Sequence, residues 1–318
     1  MQSPSSAGDS NMVDTELSGA SYVDDTGARQ PRNGCYSSRI FTVPVTPQSI
    51  YEHASQPPVV EEIDDYYLPA ESHLRIFAGE DYVSDHGVQL ISQVDYENIS
   101  RAYPNLCLEP SASSLDSRYV STDFPSLSAF NMFLKLYRRH FDPVVIPLIH
   151  AELGRMAGGG WIIILSKAAV GSTYSNKPDN RVSIALHEFL RRVLSQQPVV
   201  SAEAITLESL QVLQGRLLNY IGLAYSGSKK LQKRQSSALG SLVNDFISIY
   251  NTQEAIVKAN VNMQEHTNLL DWILFESIRR VCHVIWLVDT MSRYHFDIRP
   301  RLVLDYAEIV LPCKQRLW

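Results

Sequence analysis

The four cysteines of this 318-residue chain, Cys35, Cys107, Cys282 and Cys313, stand far apart. None lies two to four positions from another, so no local pair can form a zinc knuckle or finger. No lysine occurs in the first 126 residues. The most apolar short run, residues 161–165, falls far short of the roughly 20 residues that a membrane-spanning helix needs. The N-terminus is polar and acidic, without the basic start and apolar centre of a signal peptide. These absences predict a soluble, intracellular protein with reduced cysteines, no bound metal and no membrane partner. No convincing stretch alternates with period two, which argues against a β-rich fold.

The charge that is present divides unevenly. Up to Ser126 there are nineteen acidic residues against six arginines; from Leu127 onward there are fifteen acidic and twenty-two basic residues. The net charge of −6 therefore hides an acidic first part joined to a basic second part. Such asymmetry predicts an acidic arm, residues 1–126, on a folded unit, residues 127–318. Residues 1–58, rich in Ser, Gly, Pro, Asp and Thr, have the composition of a disordered segment. Between 59 and 126 apolar residues are interrupted by acids and prolines. Residues 91–103 could form one short helix there, and 111–126 read as a loop.

Helical periodicity starts at Leu127. Leu127, Phe130, Leu134, Tyr137 and Phe141 fall three and four apart, on one face, until Pro143 and Pro147 end the helix. After a break at residues 158–160, all glycine, Trp161 opens a helix that is apolar almost all round, which predicts burial. Ile184, His187, Leu190 and Leu194 mark the next, stopped by Pro198. On its outer face Glu188 precedes Arg192 by four and should pair with it. Leu207, Leu210, Leu213, Leu217, Ile221 and Ala224 form the clearest stripe, with Thr206 as N-cap. Ala238, Leu242, Phe246 and Ile249 continue after Gly227, and residues 271–294 make a last long helix. The expectation is an all-α bundle of about six helices.

Four segments of this helical part resemble the fungal-specific transcription factor domain, the middle homology region of fungal zinc-cluster and zinc-finger regulators. Residues 134–150 are similar to its opening helix and proline turn, with Asp142 where histidine is commoner. Residues 161–174 are similar to its apolar helix, and Leu207, Glu208, Leu210 and Gln211 to a Leu-Glu-x-Leu-Gln start. The fourth segment is the most specific. Trp272, Glu276, Arg279, Arg280, Trp286, Asp289, Phe296, Pro300, Pro312, Cys313 and Trp318 follow the family's order and spacing. The resemblance covers 127–318, about three fifths of the chain. It implies a nuclear regulator of transcription, serving a metabolic or biosynthetic gene set such as secondary metabolism. The family's Cys-rich DNA-binding module has no counterpart here, and the family usually continues past the position of Trp318. The chain is thus expected to be a partial regulator. It would either meet DNA indirectly, through other transcription factors or co-activators, as a possible homo- or hetero-dimer and without a cofactor, or be a non-functional or dominant-negative truncated regulator.

The physics of single residues leaves several readings open. Glu276 and Arg280, four apart, can pair; Arg280 and Asp289, nine apart, face opposite sides and should bind different neighbouring helices. These charges and the anchors Trp272 and Trp286 are chiefly structural, with ligand sensing as the alternative. Residues 59–68 interleave Glu61, Glu62, Asp64 and Asp65 with Tyr66, Tyr67 and Leu68, and residues 77–83 repeat the idea. An activation segment, whose charge keeps apolar groups exposed, or a solvated linker both fit. Lys229, Lys230, Lys233 and Arg234 fit either a nuclear-import cluster or a solvated helix start.

An enzyme reading rests on Asp64-Asp65 and Asn244-Asp245, which resemble the magnesium motifs of terpene synthases. Both break: Leu68 and Thr252 stand where further metal ligands belong. His187-Glu188 opens like a zinc-protease helix, but Arg191 occupies the second histidine's place. His150, His187 and His283 read as satisfied core or boundary histidines. No catalytic residue is assigned.

Overall fold

The computed structural model describes residues 66, 68, 89–108, 119, 123–142, 144–145, 147–150, 160–175, 180–198, 205–252, 269–302 and 312–313. All lie within the compact unit Val60–Trp318. The segments read as disordered (1–58) and as the second acidic stretch (77–83), together with Asp64, Asp65 and Trp318, lie outside the described residues.

The fold is all-α. Among the described residues seven α-helices follow one another: α1 (Gln93–Tyr103), α2 (Leu127–Leu136), α3 (Trp161–Ser172), α4 (Arg181–Ser195), α5 (Leu207–Tyr225), α6 (Lys229–Thr252) and α7 (Leu269–Phe296). Two of them run on into wider π-helical turns, Pro104–Leu108 after α1 and Tyr137–Phe141 after α2. Serine and threonine set several starts. The side chains of Ser92, Ser126 and Thr206 accept from the third backbone N–H beyond them at α1, α2 and α5. Gly227, at φ +75°, makes the turn between α5 and α6.

Helix α3 sits at the centre and packs against α1, α2, α4 and α5. Its all-round apolar sequence is what this position requires, since it feeds two cores. Ile163 and Val170 join a core with α5, α6 and α7. Ile162, Leu165, Ala168 and Ala169 join the other, with α1, α2 and α4. That second core also takes in Tyr66, Leu68, Ile91, Ile99, Tyr103, Cys107 and Tyr119. The helical body therefore draws on residues upstream of the Leu127 start read from the periodicity. It also alters the expectation for the first acidic stretch: Tyr66 and Leu68, foreseen as exposed, are 3% and 0% accessible. No described helix is long and apolar enough to cross a membrane.

Candidate functional site

The chain's polar chemistry is concentrated at buried charges on α4 and α7. Glu188 lies one position from His187, on the buried face of α4, and is fully inaccessible. This corrects the placement of the Glu188–Arg192 pair on the outer face. The pair forms, with Arg192 Nε 3.0 Å from Glu188 Oε1, but inside the protein. Arg191 grips the same carboxylate through Nε and a terminal nitrogen, each at 2.8 Å. Arg234 of α6 approaches to 3.6 Å. Arg192 also donates to the Leu106 carbonyl at 3.0 Å and lies over the Tyr119 ring. One carboxylate thus fastens α4 to α6 and, through Arg192, to the segment after α1.

Helix α7 repeats the device. Glu276 accepts from Arg279 at 3.1 Å, from Arg280 at 3.0 Å and from the Cys313 backbone N–H at 2.7 Å. Arg280 reaches the carbonyls of Pro147 at 3.1 Å and Cys313 at 2.7 Å. Asp289 accepts from the N–H groups of Arg301 and Leu302. Arg280 and Asp289 thus hold different segments, but these are the non-helical stretches around Pro147, Cys313 and Arg301–Leu302 rather than the neighbouring helices expected. Trp272 is buried, whereas Trp286 is half-buried beside His283. Pro300 and Pro312 are half-buried near these ties. The two hubs share one spacing, Glu-x-x-Arg-Arg, at 188–192 and 276–280. Both pairs were legible from that spacing; the burial of the α4 copy was not.

The basic quartet divides at the start of α6. Lys229 is exposed, Lys230 lies over the Tyr66 ring at 4.4 Å, Arg234 turns to Glu188, and Lys233 lines a cleft with Arg234. This cleft, about 580 Å³, opens between the end of α4 and the facing sides of α5 and α6. Arg191, Arg216, Lys233 and Arg234 are its charged lining among the described residues. Arg216 is held by Asp245 at 3.0 Å and by the carbonyls of Gln197 and Pro198. Burial raises the Asp245 carboxyl above the usual range, and Arg216 opposes that shift. Sequence reading passed over Arg216 and Arg191 as cleft residues. Their convergence depends on three helices, which periodicity within one helix cannot show.

The magnesium motif does not assemble here. Asp245 is buried against Arg216, Asn244 is exposed, and the Thr252 hydroxyl donates to the Ser248 carbonyl at 2.8 Å. His187 is a core histidine, as expected, though among the described residues its ring nitrogens meet no hydrogen-bond partner of good geometry. Burial lowers its pKa to about 4, with Asn219 acting weakly the other way. The thiols of Cys107 and Cys282 are buried and pushed up to about 12, far from a reactive thiolate.

Against known proteins, no family model matches the chain. It is 22% identical over 204 residues to a protein of Gibberella fujikuroi described as a transcription factor. The match takes in 63% of this chain and 26% of that protein. The chain therefore spans about a quarter of the length of the curated relative it matches. No solved structure matches.

Proposed function

We propose that the chain is a regulator of transcription whose helical body is a regulatory domain of the fungal-specific transcription factor kind. The observation that carries this reading is its similarity, over 63% of its length, to a fungal protein described as a transcription factor. The buried ties support it. Glu276, Arg279, Arg280 and Cys313, which carried the resemblance in the sequence, meet in space as one fastener of α7, and Asp289 makes a second further along the helix. They fix a shape.

The reading places the chain in the nucleus, acting on a metabolic or biosynthetic gene set through co-activators and other transcription factors. Within these 318 residues DNA contact is indirect, because the four cysteines lack zinc spacing. The direct test tethers the full chain to an unrelated DNA-binding module upstream of a reporter in a fungal cell. A several-fold change in reporter output over the module alone is expected. Output equal to the module alone, with the fusion stable and nuclear, refutes the reading.

A further inference from the structure

We infer that the exposed aromatic patch where α5 and α7 end is a docking surface for a short acidic peptide of a partner protein, one that also carries aromatic or aliphatic side chains. The patch is assembled from two helices. Tyr225 closes α5, and Tyr294, His295 and Phe296 lie in the last turn of α7. The His295 ring meets Tyr225 edge-on with centroids 5.8 Å apart, Phe296 lies 5.8 Å from Tyr225, and Tyr294 meets His295 edge-on at 5.3 Å. Tyr294 is 88% exposed and Tyr225 52%. The other exposed large apolar side chains among the described residues, such as Val94 and Val144, stand alone or beside a chain neighbour. Scattered residues of that kind need no partner, whereas rings gathered from two elements make a contiguous surface.

The rings are held before a partner arrives. Beneath them the buried hydroxyls of Tyr220 and Ser292 bond at 2.8 Å and tie α5 to α7. Asp297, at φ +53°, and the Ile298 N–H on the Ser292 carbonyl close α7, so its last turn is fixed. Such fixing lowers the ordering cost of binding, and tyrosine adds a large contact area at little cost of that kind. Charge selects the occupant. Lys229, four residues beyond Tyr225, and Arg299, past the end of α7, are exposed and, among the described residues, stand outside any ion pair. Arg293 meets Asp297 at 3.4 Å, with both side chains strongly exposed; such a surface pair holds its charges weakly. Against these cations stand Asp297 and two helix C-termini, each equivalent to roughly half a negative charge. The balance favours an anion, but a modest one. A nucleic acid asks for more, since its binders typically neutralise roughly 6–10 phosphates, and Asp297 would repel the backbone. A peptide can set a carboxylate on Lys229 or Arg299 and lay its apolar groups on Tyr225 and Tyr294. The surface stands independently of the transcriptional reading, since it rests on these residues alone.

The test titrates the purified full chain into a fluorescein-labelled peptide of repeated Glu-Phe-Asp-Tyr and reads anisotropy. Saturable binding with a micromolar Kd is expected, weakening as salt is added. Tyr294→Ser and Arg299→Glu, both at exposed positions, should each weaken it about five-fold or more while Tm stays unchanged. Val94→Ser and Arg101→Glu, the matching changes at exposed positions of α1, should leave it intact. A peptide with serine in place of its rings, or with glutamine and asparagine in place of its acids, should bind about ten-fold or more weakly. Equal binding of the ring-free peptide would overturn the inference. So would equal weakening by the α1 substitutions, or tighter binding of oligothymidylate than of the peptide. Absence of saturable binding up to about 1 mM peptide would overturn it too. Because binding is read directly, a failed reporter assay and a failed titration remain separate results.

Discussion

Single buried charges decide how this protein holds together, and the strongest single-residue expectations follow from them. Glu188 is fully inaccessible and serves Arg191, Arg192 and Arg234. Replacing it by Gln keeps the shape and removes the counter-charge. Breaking a buried ion pair in this way typically costs about 3–5 kcal/mol, because charges are left uncompensated inside. Glu188→Gln should therefore lower the urea midpoint strongly, and an unchanged midpoint would show the hub to be dispensable. His187 gives a pH dependence of known sign. An unfolded imidazole takes up its proton near pH 6.5; the folded one does so only at about 4. Between these values the unfolded chain binds more protons, so stability falls as pH drops through that window, by about 3 kcal/mol in all. Denaturation measured from pH 7 to pH 4 should show this loss, and His187→Leu should flatten it. The i,i+4 pairing of Glu188 with Arg192 was legible from spacing. Its burial was not. The cover over that face comes from Tyr119 and the carbonyl of Leu106, more than 60 residues upstream.

At the scale of elements, helix starts and faces were readable because their causes are local. Thr206 caps α5 and Ser126 caps α2 as short-range chemistry dictates. The all-round apolar α3 was correctly expected to be buried. Its glycine carried less information, since a glycine inside a helix looks like a weakness until the neighbour is known. Gly171 lies where α3 crosses α2, and a Cβ there would overlap the Phe133 backbone carbonyl. Backbone cannot swing aside as a side chain can. Gly171→Ala should therefore destabilise by about 1–3 kcal/mol through overpacking, despite the roughly 1 kcal/mol that alanine gains over glycine as a helix former. Gly215 on α5 is the internal contrast. Its added Cβ would meet the Ser166 hydroxyl at 3.0 Å and a Leu194 methyl at 3.3 Å, both side-chain atoms. Gly215→Ala should change stability by under about 1 kcal/mol. Equal losses at both sites in urea titrations would mean that backbone approach is not what Gly171 provides.

For the whole molecule, the decisive question is where the folding unit begins. Periodicity and charge asymmetry put its start at Leu127, because both are properties of consecutive residues. The core is assembled differently. Leu68, Ile91, Ile99, Tyr103, Cys107 and Tyr119 pack among residues of α2, α3 and α4, and Tyr119 donates its hydroxyl to the Ala185 carbonyl at 2.6 Å. Isolated apolar residues in an acidic stretch leave no periodic trace, so their destination was hidden from sequence. Full burial of a large apolar side chain is worth about 1.5–3 kcal/mol. Losing even four of these would remove about 6–12 kcal/mol, comparable to the entire stability of an ordinary domain. A fragment of residues 127–318 should therefore melt without a cooperative transition and bind a dye for exposed apolar surface. A fragment of residues 60–318 should melt as the full chain does, near the same temperature by circular dichroism. If 127–318 melted cooperatively within a few degrees of the full chain, the upstream residues would be a removable cover, and the boundary at Leu127 would stand as the edge of the folding unit.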